Sequence, residues 1–105
     1  MYLITDNLQK IIALCKKYKV KALYVFGSIL TPRFNDKSDV DFSAVFNHDS
    51  DPLVAGENFM SFYMELESLM GRRIDLVDDV VNIGGHVFVE VVGRANVNIF
   101  QDVLV

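Results

Sequence analysis

The chain has 105 residues, 51% of them hydrophobic and 23% charged, with a net charge of −4. That is the size of one domain with enough apolar material for one core, which excludes a disordered tail and leaves no room for a catalytic domain beside a large substrate domain. The acidic balance argues against non-specific nucleic-acid binding, which needs a basic face to displace counterions, although a local basic patch could still meet phosphates.

The N-terminal stretch MYLITDNLQK has no basic segment followed by an apolar one, so no signal peptide is expected. No apolar run approaches the ~20 residues of a membrane span. A single cysteine cannot form an internal disulfide, and these features together predict a reducing cytoplasm. From Asp6 to Tyr18, Leu8, Ile11, Ile12, Cys15 and Tyr18 recur at helical spacing, with Asp6 expected to cap the first turn and Gln9 three residues later. Cys15 lies on the apolar stripe with no histidine near in sequence, and reads as a small buried hydrophobe rather than a nucleophile.

KALYVFGS then predicts a strand over Lys21 to Phe26, nearly continuous in its apolar residues and ending at Gly27. The segment Ile29 to Ser38 reads as a loop, with one helical turn expected over Ile29 to Thr31. DVDFSAVF alternates: Asp39, Asp41, Ser43 and Val45 fall on one face, Val40, Phe42, Ala44 and Phe46 on the other. The Val/Phe face is the core side, and the aspartate side is expected to meet something wet or metallic. His48 to Asp51 also contains D-x-D, but in a proline-bounded stretch without alternation, and reads as a solvated turn.

A second helix is predicted over Leu53 to Met70, with Phe59, Phe62, Tyr63, Leu66, Leu69 and Met70 as its core stripe and Gly71 as its stop. RRIDLVD follows as a strand over Arg72 to Val77, with Ile74 and Leu76 on one face and Asp75 on the other. The valine-rich stretch after it has strand propensity, yet Val87/Val91 and Phe88/Val92 pair at i, i+4. A short helix from about Gly85 to Val92 and a strand over Val97 to Gln101 are expected. No repeat, low-complexity tract or linker divides the chain. The order helix, strand, strand, helix, strand, helix, strand predicts one α+β (α/β-like) domain over residues 1–105.

Asp39 and Asp41 stand at i and i+2, so their α-carbons are ~6.6 Å apart with both side chains on one face. Two carboxylates so placed repel, and a divalent cation is the natural compensation. Magnesium takes oxygen ligands at ~2.0–2.1 Å and completes its shell with substrate phosphates, and paired ions ~3.5–4 Å apart clamp attacking and leaving oxygens. A third carboxylate from a neighbouring strand would complete the site, and Asp75 is the best candidate, with Asp78 and Asp79 as rivals and pairing with Arg72 or Arg73 as its structural alternative. Gly27 lets the backbone approach a phosphate, the N–H groups of the following turn favour anionic oxygens, and the Ser28 hydroxyl adds a donor. Lys37, Arg33, Arg72 and Arg73 form either a phosphate-facing rim or ordinary solubilising charge. His48 and His86 have no Cys or His neighbour at zinc spacing.

Gly-Ser, ten intervening residues and then DVDF resemble the signature of the DNA polymerase β-like nucleotidyltransferases. The resemblance is closest to the small minimal nucleotidyltransferases, often the antitoxin-side partners of HEPN-domain toxins. It covers nearly the whole chain, because the first helix, FGS, SDVDF, the central helix and IDLV come in the family's order. It implies a small mixed sheet flanked by helices. It implies phosphate contacts at Gly27 and Ser28, two magnesium ions held by Asp39 and Asp41, and Asp75 as third metal ligand and proton acceptor. ATP is the implied substrate, and a hydroxyl of a HEPN-type toxin the implied acceptor of AMP. Many members carry an ARG-like segment shortly after Gly-Ser; here Leu30 to Pro32 reads LTP, and Arg33 is the substitute phosphate contact. That departure keeps a second reading open: a module that neutralises a HEPN-type partner by covering it, with little or no transfer.

Overall fold

The computed structural model describes residues 2–47, 51–78 and 88–93. A short helix α1 (Tyr2–Thr5) leads into α2 (Leu8–Lys17). The expected Asp6 cap is not formed. The backbone N–H of Asp6 continues α1 by donating to the Tyr2 carbonyl, so Asp6 lies in the connecting turn and Asn7 takes the cap position. The Asn7 side chain donates backwards to the Leu3 carbonyl at 2.8 Å and ties the two helices together. Lys16 and Lys17 occupy the last turn of α2, where positive charge complements the exposed carbonyls.

Strand β1 (Val20–Phe26) runs into a 3₁₀ turn over Gly27–Leu30, which starts two residues before and ends one residue before the Ile29 to Thr31 expectation. Strand β2 (Val40–Phe46) pairs antiparallel with β1. Helix α3 (Pro52–Met70) is capped by Asp51, whose Oδ1 accepts from the Leu53 N–H at 2.9 Å, with Pro52 in the first turn. It ends at Gly71, in the left-handed conformation at φ 66°, whose N–H returns to the Glu67 and Ser68 carbonyls. Strand β3 (Ile74–Asp78) then lies parallel to β2, so α3 is the crossover between two parallel strands.

The last described strand, β4 (Phe88–Val92), corrects the helix expected from Gly85 to Val92 across those five residues. The i, i+4 pairs are real, but β-branched side chains pack better on a pleated surface, and β4 gains an antiparallel ladder on the edge of β1, with a register shift between Leu23 and Tyr24. Val89, Val91 and Val92 are buried there. The strand expected over Val97 to Gln101 lies outside the described residues. The sheet order is β3-β2-β1-β4, with mixed parallel and antiparallel pairing.

The core lies between this sheet and the helices. Leu23 and Val25 of β1 and Val40, Phe42 and Ala44 of β2 join Ile11 and Cys15 of α2 and Phe62, Leu66 and Met70 of α3 in one buried cluster. Phe46 meets Phe62 edge-on at 5.8 Å between ring centres, and Tyr18 meets Phe62 at 6.4 Å. The Val/Phe face of β2 is thus the core face, as its alternation predicts. The opposite face is not wet throughout: Ser43 is fully buried, lying between Tyr24 of β1 and Val77 of β3 in register. Asp41 and Val45, on either side of Ser43 along that face, are both half-buried. No described helix is long and apolar enough to cross a membrane.

Candidate active site

Three chain segments meet at one corner of the sheet because of their directions. β1 runs towards this corner and ends there, while β2 and β3, parallel to each other and antiparallel to β1, both begin there. The register then sets the residues side by side. Phe26, the last residue of β1, is opposite Asp41, and Asp41 is opposite Asp75. Adjacent strands are ~4.8 Å apart, so the Asp41 and Asp75 side chains rise as neighbours from one face. Asp39 stands just before β2, exposed, two residues from Asp41. Asp75 is exposed and Asp41 half-buried.

Gly27 is held at φ 78°, a left-handed conformation that costs an L side chain stability. Its space is also taken. A Cβ at this position would collide with Oδ2 of Asp41 and stand 3.2 Å from its Cγ. The Asp41 carboxylate therefore lies over the α-carbon of Gly27, and only glycine fits both the backbone and the room. Beyond it, the Thr31 N–H and hydroxyl both donate to the Ser28 carbonyl, closing the turn. The Ser28 hydroxyl donates to the Asp39 carbonyl at 3.5 Å, a long bond that leans the turn against the start of β2.

The structure thus brings together Gly27, Ser28, Asp39, Asp41 and Asp75. It does not draw the acids into a finished cage: among the described residues, no three Asp, Glu, His or Cys side chains converge as a metal site. Like charges do not converge on their own, and a bound cation supplies the reason to do so. The donor set at this corner is carboxylate and hydroxyl oxygen, the chemistry of a hard cation such as magnesium rather than of zinc or copper. The residues fit that ion in type, register and face, with side-chain rotation left to complete the shell.

The rivals of Asp75 sort by parity. Asp78 is the last residue of β3 rather than beyond it, and it shares the face of Ile74 and Leu76, away from Asp41. Asp79, His48 and His86 lie outside the described residues. Among the described residues neither Arg72 nor Arg73 bonds Asp75, so the structural pairing considered for it is not formed. Arg33 is exposed, and the contacts that hold it are backbone ones: its N–H donates to the Thr31 hydroxyl and its carbonyl accepts from the Asn35 side chain. Arg72 is half-buried. Its Nη1 donates to the carbonyls of Asn35 and Ser38, both at 3.0 Å, and its guanidinium stacks on Phe34. Sequence reasoning missed this role because its partners are main-chain carbonyls, which carry no sequence signal.

Cys15 is remote from this corner in chain and in role. It is buried among the helix–sheet contacts, and burial pushes its thiol up to about 12. It stays protonated at neutral pH, as expected of a core residue.

The family model described as "Polymerase beta, Nucleotidyltransferase" matches residues 9–102. A Methanocaldococcus jannaschii protein named "Putative protein adenylyltransferase MJ1379" is 30% identical over 61 residues, covering 58% of this chain and 59% of the relative. Among solved structures, a mutant of the toxin-antitoxin MntA-HpeT is similar with a TM-score of 0.50 and 25% identity, covering 70% of this chain and 57% of that one. A toxin-antitoxin structure with AMP-PNP is similar with a TM-score of 0.50 and 28% identity, covering 69% and 56%. The chain therefore spans less than two thirds of each of these proteins.

Proposed function

Because this chain belongs to the polymerase β nucleotidyltransferase family, we propose that it transfers AMP from ATP to a hydroxyl of a partner protein, as the antitoxin of a HEPN-type toxin. The observation that carries this reading is the row Gly27–Asp41–Asp75, in which a carboxylate lies over an obligatory glycine and beside a second carboxylate on the next strand. The relative named as an adenylyltransferase and the neighbour solved with AMP-PNP support adenine nucleotide as the substrate class.

In this reading Asp39 and Asp41 would hold two magnesium ions, and bound there the ions would supply charge neutralisation at the phosphates. Asp75 ligates one ion and accepts the hydroxyl proton. Gly27 lets the triphosphate approach the backbone, and the N–H groups of the 3₁₀ turn with the Ser28 hydroxyl hold the β- and γ-phosphates. The acceptor oxygen forms a bond to the α-phosphorus as the bond from that phosphorus to the bridging oxygen breaks, and pyrophosphate leaves. Positioning and electrostatic stabilisation do most of the work in such transfers.

The test is incubation with α-labelled ATP, magnesium and the product of the neighbouring gene. Label on the partner that disappears with Asp41→Asn supports the proposal. One observation favours the second reading, neutralisation by covering alone: the stretch after Gly-Ser reads LTP at Leu30 to Pro32, where many members of the family carry an ARG-like segment. Equal neutralisation of the partner by wild type and Asp41→Asn, with no label on either, would establish that reading and remove the transferase.

A further inference from the structure

We infer that Arg72 is a positioning residue for the nucleotide site, resting on the transferase reading above. Its guanidinium docks the turn that precedes Asp39 onto the junction between α3 and β3. The turn is closed by its own bonds: the Ser38 N–H donates to the Asn35 carbonyl at 3.0 Å, the Asn35 N–H to the Ser38 hydroxyl at 3.0 Å, and the Lys37 N–H to Asn35 Oδ1 at 2.8 Å. Those bonds shape the turn but do not locate it. Arg72 does, through two carbonyls and the Phe34 ring, 4.9 Å from the guanidinium carbon.

The other end of the clamp is fixed as well. Arg72 follows the left-handed cap at Gly71 and stands two residues before Ile74. The Ile74 N–H donates to Glu67 Oε2 at 3.2 Å, and its carbonyl accepts from the Tyr63 hydroxyl at 3.0 Å. Both partners belong to α3, so the root of Arg72 is held by the core helix. The neighbouring carbonyl of Arg73 accepts from the Val40 N–H at 3.2 Å and opens the β2–β3 ladder. One linked series thus runs from α3 through Arg72 to Ser38, then by one peptide bond to Asp39, and from the Asp39 carbonyl to the Ser28 hydroxyl. The acids and the Gly-Ser turn are aligned by a residue that touches none of them. A planar, permanently charged group with several diverging donors can span two carbonyls and stack at once; a lysine ammonium cannot reproduce that fork.

The experiment compares wild type, Arg72→Ala, Arg72→Lys and Lys16→Ala by hydrogen exchange over the whole chain, residues 34–39 in particular, and by label transfer across a magnesium titration. The expected result is faster exchange in that segment for Arg72→Ala, a transfer rate lowered on the order of 10- to 100-fold, and partial recovery at high magnesium. Arg72→Lys should fall between, and Lys16→Ala, an exposed charge on α2, should match wild type. Faster exchange confined to residues 34–39 marks a displaced site, since a globally destabilised variant would lose protection throughout the sheet and would also recover with magnesium. Unchanged exchange, or wild-type transfer by both Arg72 variants, overturns the positioning role and leaves the transferase reading intact. A wild type with neither label transfer nor magnesium-dependent stabilisation overturns the transferase reading, and the positioning role falls with it.

Discussion

Replacing Gly27 by alanine presses on the one point where backbone and carboxylate compete for space. Two separable costs follow. An L-residue in the left-handed region loses about 1–2 kcal/mol, offset by roughly 0.4–1 kcal/mol from the stiffer unfolded chain. Gly71→Ala meets only this cost, because Gly71 has a similar φ of 66° and nothing within 4 Å of its added Cβ; about 1 kcal/mol is expected there. At Gly27 the new methyl must also evict the Asp41 carboxylate, which adds about 1–2 kcal/mol of overpacking. Urea denaturation without metal should therefore give about 2–3 kcal/mol for Gly27→Ala, and transfer should fall on the order of 100-fold because Asp41 has moved. Repeating the change in an Asp41→Ala background should bring its cost back to that of Gly71→Ala, a coupling of about 1–2 kcal/mol. If Gly27→Ala costs no more than Gly71→Ala, or costs the same with and without the Asp41 side chain, the contact has no energetic consequence and the cradle argument is wrong.

Asp39→Asn should leave metal-free stability unchanged or raised, since Asp39 is exposed beside a like charge, while abolishing the magnesium-dependent rise in Tm; a large metal-free loss would make Asp39 a structural residue. Phe62→Ala should lose about 3–5 kcal/mol in urea denaturation, because Phe62 is fully buried and meets both Tyr18 and Phe46; a loss under about 1 kcal/mol would contradict its place at the centre of the core. For Cys15 the native thiol is raised from 9.0 to about 12 by burial, so the folded state holds the proton that the unfolded chain releases. Its contribution is complete below pH 9 and declines by about 1.4 kcal/mol per unit as pH rises towards 12. Subtracting the pH profile of Cys15→Ala from that of wild type isolates this slope, and equal slopes between pH 9 and 11 would show that the thiol ionises freely in the fold.

Much of the site was readable because it rests on local pattern. The alternation of DVDFSAVF fixes which face Asp41 takes, IDLV does the same for Asp75, and a Gly-Ser pair ending an apolar run marks the turn. Helix α3 was readable at its end, where Gly71 leaves few alternatives, while its start falls one residue before the Leu53 expectation, with Asp51 of the expected turn as its cap. What failed depended on neighbours. Asp6 lost the cap because α1 runs into its turn, and the valines of β4 became a strand because β1 offered a free edge. Ser43 lies on the polar-looking face yet is buried, because adjacent strands close over a small side chain in the middle of a sheet. Arg72 was indistinguishable from surface charge until Asn35 and Ser38 were brought to it.

The parallel pairing of β2 with β3 makes the protein sensitive to the spacing between α3 and β3. Only Gly71, Arg72 and Arg73 separate α3 from β3. Deleting one of them slides β3 by a single position, and in a strand that step exchanges the two faces. Asp75 would then turn into the greasy interior and Ile74 or Leu76 out beside Asp41. A change in the length of that short connector should therefore disrupt both faces of β3 at once, where an exchange of residue type touches only the contacts of the side chain replaced.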